Sequence, residues 1–137
     1  MTTFKAGMIK QYIDEIYGGK DVKDPLIFKN ISQRTKYHLR MLGEELLKHD
    51  KKIVDQLREV FEKHYEMPYE EIQKTNPILS EEKMGQFKKD IQDVSEIDIE
   101  IQHFPFKEAD FIDKSTNDVI AGNGVYYNLI DVLVYNN

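Results

Sequence analysis

The sequence contains no cysteine, no tryptophan and only four prolines among its 137 residues. Without cysteine there can be no disulfide, no thiolate nucleophile and no cysteine-ligated zinc. No apolar run reaches the length of about 18 residues that a membrane-spanning helix needs. The first segment, MTTFKAGMIKQYIDEIY, carries acids inside its apolar stretch, so a signal peptide is not expected either. The chain is therefore expected to be soluble and to act inside a cell. Nucleotide-binding and hydrolase signatures are also missing: no GxxxxGK[ST], no GxGxxG, no GxSxG and no Ser–His–Asp set that spacing singles out. These absences predict a protein that is not an enzyme, with no catalytic residues, no cofactor and no metal.

What is present is charge, unevenly spread. Lys and Arg number 19 against 25 Asp and Glu, a net charge of −6 that argues against a protein coating DNA or RNA. Residues 1–65 hold 13 basic and 10 acidic side chains, whereas residues 66–118 hold 6 basic and 14 acidic ones. The acidic part either folds back on the basic part, meets a partner or a neighbouring subunit, or is simply solvated.

Hydropathy patterning predicts an α+β fold, mostly α, as one domain: an N-terminal helix (1–19), a helical hairpin (30–95) and a β-containing C-terminal segment (96–137). Phe4, Met8, Ile9, Tyr12, Ile13, Ile16 and Tyr17 form one helical stripe, stopped by Gly18-Gly19. From the N-cap candidate Ser32 to Tyr65 there is no proline and no turn run, which predicts a helix of about 50 Å. A helix that long protrudes, breaks near Gly43 or His49-Asp50, or pairs with another helix. The pairing is expected, because Met84, Phe87, Ile91 and Val94 provide a second stripe over about 80–94, opened by Ser80-Glu81-Glu82. A short helical turn at Tyr69–Gln73 fits between Pro68 and Pro77.

After Val94 the period changes to two. Ile97, Ile99 and Ile101 alternate with Asp98, Glu100 and Gln102, predicting a strand at 97–103. Its partner is expected in the C-terminal tail or in another subunit. Ser115 to Ala121 reads as a short helix capped by Ser115, Gly122-Asn123-Gly124 as a turn, and 125–135 as helix rather than strand.

Several residue groups are candidates for function. Glu96, Asp98 and Glu100 share one strand face at spacings of about 6–7 Å, suited to docking basic side chains if not merely solvated. Lys29, Arg34, Lys36 and Arg40 gather at the start of the long helix, where the dipole disfavours cations and an anionic partner, best a protein carboxylate, is implied. Glu45 and His49 are one turn apart, but no third ligand accompanies them. Asp113, Ser115 and Asn117 start like a calcium loop that fails at Asp118 and Gly124, where glycine and glutamate are required.

The stretches LIFKNISQRTKYHLRMLGEEL, VDQLREVFEKHY, MGQFKKDIQDVSEIDIEI and NLIDVLV, within residues 26–134, resemble small uncharacterised proteins of tailed bacteriophages. In those a helical hairpin precedes an acidic alternating strand; this chain differs in its proline-containing hairpin connection and its additional N-terminal helix. The resemblance implies a phage-encoded virion or assembly component acting by protein–protein contact, in the virion or host cytoplasm. Phage structural proteins or a second copy would be its partner, with no membrane and no direct nucleic-acid binding. The alternative is an acidic inhibitor of a host defence or nucleic-acid enzyme; a hydrolase using Glu45 and His49 is a third reading.

Overall fold

The computed structural model describes residues 1–122 and 126–135. The chain is mostly helical α+β, with strand β1 (Thr2–Lys5), helices α1 (Ile9–Tyr17), α2 (Gln33–Tyr65), α3 (Tyr69–Thr75) and α4 (Glu81–Ser95), strand β2 (Asp98–Ile101) and a last helix α5 (Asn128–Ile130) continued by a wide turn over Asp131–Tyr135.

The hairpin follows the sequence pattern closely. α2 runs unbroken through Gly43 and His49 for 33 residues. The Ser32 hydroxyl accepts the Thr35 N–H at 3.1 Å, the bond an N-cap is chosen for. Glu66, at φ 54°, ends the helix in left-handed backbone. Ser80 caps α4 in the same way through the Lys83 N–H, and Glu81 and Glu82 occupy its positive first turn. α3 fills the connection and extends two residues beyond the predicted turn.

The first half of α2 buries Leu39, Leu42 and Leu46 against Ile9, Ile13 and Ile16 of α1. Gly43 lets α1 approach: a Cβ there would collide with the Tyr17 ring. Beyond Leu46 the helix buries only Val60, so its second half projects from the core as an arm. The arm is held by rings instead, with Phe61 and Tyr65 edge-on to Phe87 of α4 and Tyr69 edge-on to Phe61.

His64 Nε2 meets Asp90 Oδ2 at 2.6 Å, with the Lys63 ammonium 3.5 Å from the same oxygen. The His64 hydrogen bond, then the Lys63 charge, hold the Asp90 carboxyl below its ordinary range. A carboxylate depressed by folding stabilises above its unfolded pKa, and that support is lost as pH falls through the folded value. The arm is therefore expected to loosen on acidification below the usual aspartate range, seen as averaging of the Phe87 ring signals by NMR. Asp90→Asn is expected to remove that acid step; an unchanged step would assign it elsewhere.

Five sequence expectations need correction. The N-terminal helix starts at Ile9, not at Phe4, because Thr2–Lys5 pairs antiparallel with β2, Phe4 opposite Ile99 and Thr2 opposite Ile101. The partner of β2 is thus the chain's own N-terminus, neither the tail nor another subunit, and β2 is shorter than 97–103. Residues 115–121 are a turn and an isolated bridge between Ile112 and Val119, not a helix. Asp113, not Ser115, organises that turn: its carboxylate accepts the N–H groups of Ser115 and Thr116 at 2.7 and 3.2 Å. The tail is helical from Asn128, as its stripe predicts. Of the Gly122-Asn123-Gly124 turn, Asn123 and Gly124 lie outside the described residues.

Candidate interaction surfaces

The two-stranded sheet has one dry face and one wet one. Thr2, Phe4, Ile99 and Ile101 are buried, whereas Thr3, Lys5, Asp98 and Glu100 face solvent. The Ala6 N–H bonds to the Ile97 carbonyl at 2.9 Å, and this bond sets the phase of the ladder. In an antiparallel pair, positions two apart share the same bonding type. Ile99 and Ile101 therefore exchange ladder bonds with Phe4 and Thr2. Asp98 and Glu100 lie in the wide pairs, with their own N–H and C=O groups directed away from β1. Among the described residues nothing hydrogen-bonds to those outward groups.

The acidic candidates thus sit on an open strand edge, though not as one uniform row. Asp98 pairs with Lys5 at 2.5 Å. Glu96 lies at the C-terminus of α4, and its carboxylate accepts the Gln92 side-chain amide at 2.8 Å. Glu100 stands opposite Thr3, exposed and without an ion pair among the described residues.

The basic candidates are only partly brought together. Lys29 is occupied, bonding the Asp24 carboxylate and the Ala121 carbonyl. Arg34 lies 5.0 Å over the Phe104 ring, on which His38 also stacks at 3.9 Å. Lys36 is half-buried and Arg40 exposed, and neither they nor Arg34 form an ion pair among the described residues. The acidic part of the chain packs on the basic part through the β1–β2 ladder, α4 against α2 and Phe104 beneath Arg34 and His38, but among the described residues none of its carboxylates pairs with this cluster. Ion pairs between the two parts lie elsewhere, as at Lys5–Asp98, Lys63–Asp90 and Arg58–Glu70.

The other candidates are accounted for locally. Glu45 bonds Lys48 at 3.0 Å instead of joining His49 in a site. Among the described residues no group of three or more His, Asp or Glu is placed to hold a metal. In the calcium-like loop the Asp113 carboxylate is already taken by backbone N–H groups, and Gly124 lies outside the described residues. No helix among the described residues is long and apolar enough to cross a membrane.

No protein-family model, curated protein or solved structure matches this chain. Its function must be read from its own surfaces.

Three features escaped the sequence reading. Ile97 keeps 46 % of its surface exposed at the end of the ladder. An apolar groove of about 490 Å³ separates α2 from α4 near the sheet, lined by Ala6, Ile53, Leu57, Ile91 and Val94. Glu15 is 2 % exposed, and its carboxylate accepts the Leu129 N–H at 2.9 Å and the Gln11 amide at 3.0 Å. Burial raises the Glu15 pKa above the usual glutamate value, opposed by those bonds and by Asn128. Glu15 beside a small cleft looks chemical, yet its Gln11 bond stays within α1 and its Leu129 bond ties α1 to the last helix. Only the alternation at 97–102 could have signalled the strand edge; nothing local distinguishes Glu15 from a surface acid.

Proposed function

We propose that this chain acts by protein–protein contact, as a small virion or assembly component encoded by a tailed bacteriophage. The phage assignment rests on the resemblance of its hairpin and "EIDIEI" segment; the mode of action rests on the open edge of β2. An unpaired edge with four outward backbone groups is a template for another chain, which folded proteins otherwise cover or blunt. The projecting arm adds surface without adding core, as suits a part that spans between neighbours.

Nucleic-acid mimicry, the alternative, is less favoured, because Lys5 neutralises Asp98 in the middle of the acidic row. Contact through backbone groups is indifferent to that pair.

The test is absolute mass by light scattering on a sizing column, for the chain alone and mixed with virion proteins of its phage. A defined complex is expected, and Glu100→Pro is expected to abolish it. The Glu100 N–H faces away from β1, so proline there deletes an outward donor and no ladder bond. A monomer mass in every mixture would contradict the proposal, as would a complex that survives Glu100→Pro.

A further inference from the structure

The edge of β2 carries its own description of what fits it. The residues whose backbone groups point outward, Asp98 and Glu100, also carry the carboxylates of the wet face. Lys5 compensates Asp98, and Glu100 is left uncompensated. On the other face Ile99 and Ile101 are sealed by the core, whereas Ile97 is half exposed.

We infer that this edge takes an extended segment of another protein in which basic and apolar residues alternate. The inference rests on the contact reading above and names the chemistry of the partner. An added strand supplies the acceptors and donors that Asp98 and Glu100 lack. The incoming side chain directly beside Glu100 shares its face, with Cβ atoms about 4.5–5.5 Å apart, so lysine or arginine attracts there and an acid repels. The incoming side chain three positions along, beside Ile97, points to the opposite face, where an apolar group covers Ile97. The same end of the ladder adjoins the apolar groove: Ala6 and Val94, both hydrogen-bonded to Ile97, line it. An apolar residue at that end of the added segment meets a surface of its own kind.

A second copy of β2 is the poorer occupant. Pairing two β2 edges sets Asp98 and Glu100 against the same acids of the other copy. Like charges directly opposite destabilise a strand pair.

The experiment uses the intact chain, amide NMR and hydrogen exchange, with two blocked peptides of about seven residues, a common strand length. One alternates lysine with isoleucine, the other glutamate with isoleucine. The lysine peptide is expected to bind at least about tenfold more tightly, a difference of about 1.4 kcal/mol. It should slow exchange at the Asp98 and Glu100 amides and leave Ile99 and Ile101 unchanged. Glu100→Lys should reverse the preference, and Glu100→Pro should lose both peptides. Equal binding of the two peptides would overturn the inference while leaving strand addition standing. Binding of neither, with Asp98 and Glu100 protection growing with protein concentration, would assign the edge to a second copy and overturn it too. Binding of neither, with those amides fast at every concentration, would remove the edge as a docking site and the contact reading with it.

Discussion

Phe4→Ala is expected to cost about 3–5 kcal/mol of folding stability, the usual loss for truncating a fully buried phenylalanine. Phe4 has no exposed surface, sits opposite Ile99 in the ladder and meets the Tyr12 ring edge-on at 5.5 Å. Its removal leaves a cavity where the sheet, α1 and the last helix converge. Denaturant unfolding measures the loss, and hydrogen exchange locates it: the Ile99 and Ile101 amides should exchange faster together with those of α1. A loss below about 1 kcal/mol, the range of a surface change, would contradict the placement of Phe4 at the centre of the core.

The second large effect concerns Glu15. Glu15→Ala is expected to cost about 1–3 kcal/mol, because the Leu129 N–H is buried and loses its acceptor. Glu15→Gln keeps an oxygen for that N–H, so its cost at neutral pH should be small. The pH dependence separates the two roles of the carboxyl. Burial raises the folded pKa, so the folded state holds this proton more tightly than the unfolded chain does. Stability from this group is then greatest below the ordinary glutamate pKa, and it declines as pH rises through the raised folded value. The glutamine variant should lack that decline. A variant with the parent's pH profile would show that the decline arises elsewhere.

The contrast between Phe4 and the hairpin shows what local patterning can carry. The hairpin was legible because its apolar spacing of three and four persists for many turns and both helices open on a serine cap. The strand at Ile99 and Ile101 was legible because alternation holds over six residues. β1 was not, since only Thr2 and Phe4 face the core. Threonine does not look apolar, and Phe4 stands one helical turn before Met8, which extends the α1 stripe by coincidence. The loop at 115–121 was misread because Ser115 resembles a helix cap, whereas the Asp113 carboxylate takes the Ser115 and Thr116 N–H groups.

Of the candidate surfaces, Asp98 and Glu100 share the exposed face of β2 whereas Glu96 lies at the end of α4, and the basic residues are only partly brought together. Their contacts were not legible. The Phe104 ring under Arg34 and His38, and Lys5 against Asp98, depend on segments remote in sequence. Glu15 was invisible for the same reason, because the chain that buries it arrives only at Leu129.

β2 has one edge satisfied and one edge open, and amide hydrogen exchange of the isolated chain at low concentration checks both at once. Slow exchange is expected at Ile99 and Ile101, whose N–H groups bond β1, and fast exchange at Asp98 and Glu100, whose N–H groups do not. Four slow amides in a monomer would contradict it, because the outer edge would then already be covered by the chain itself.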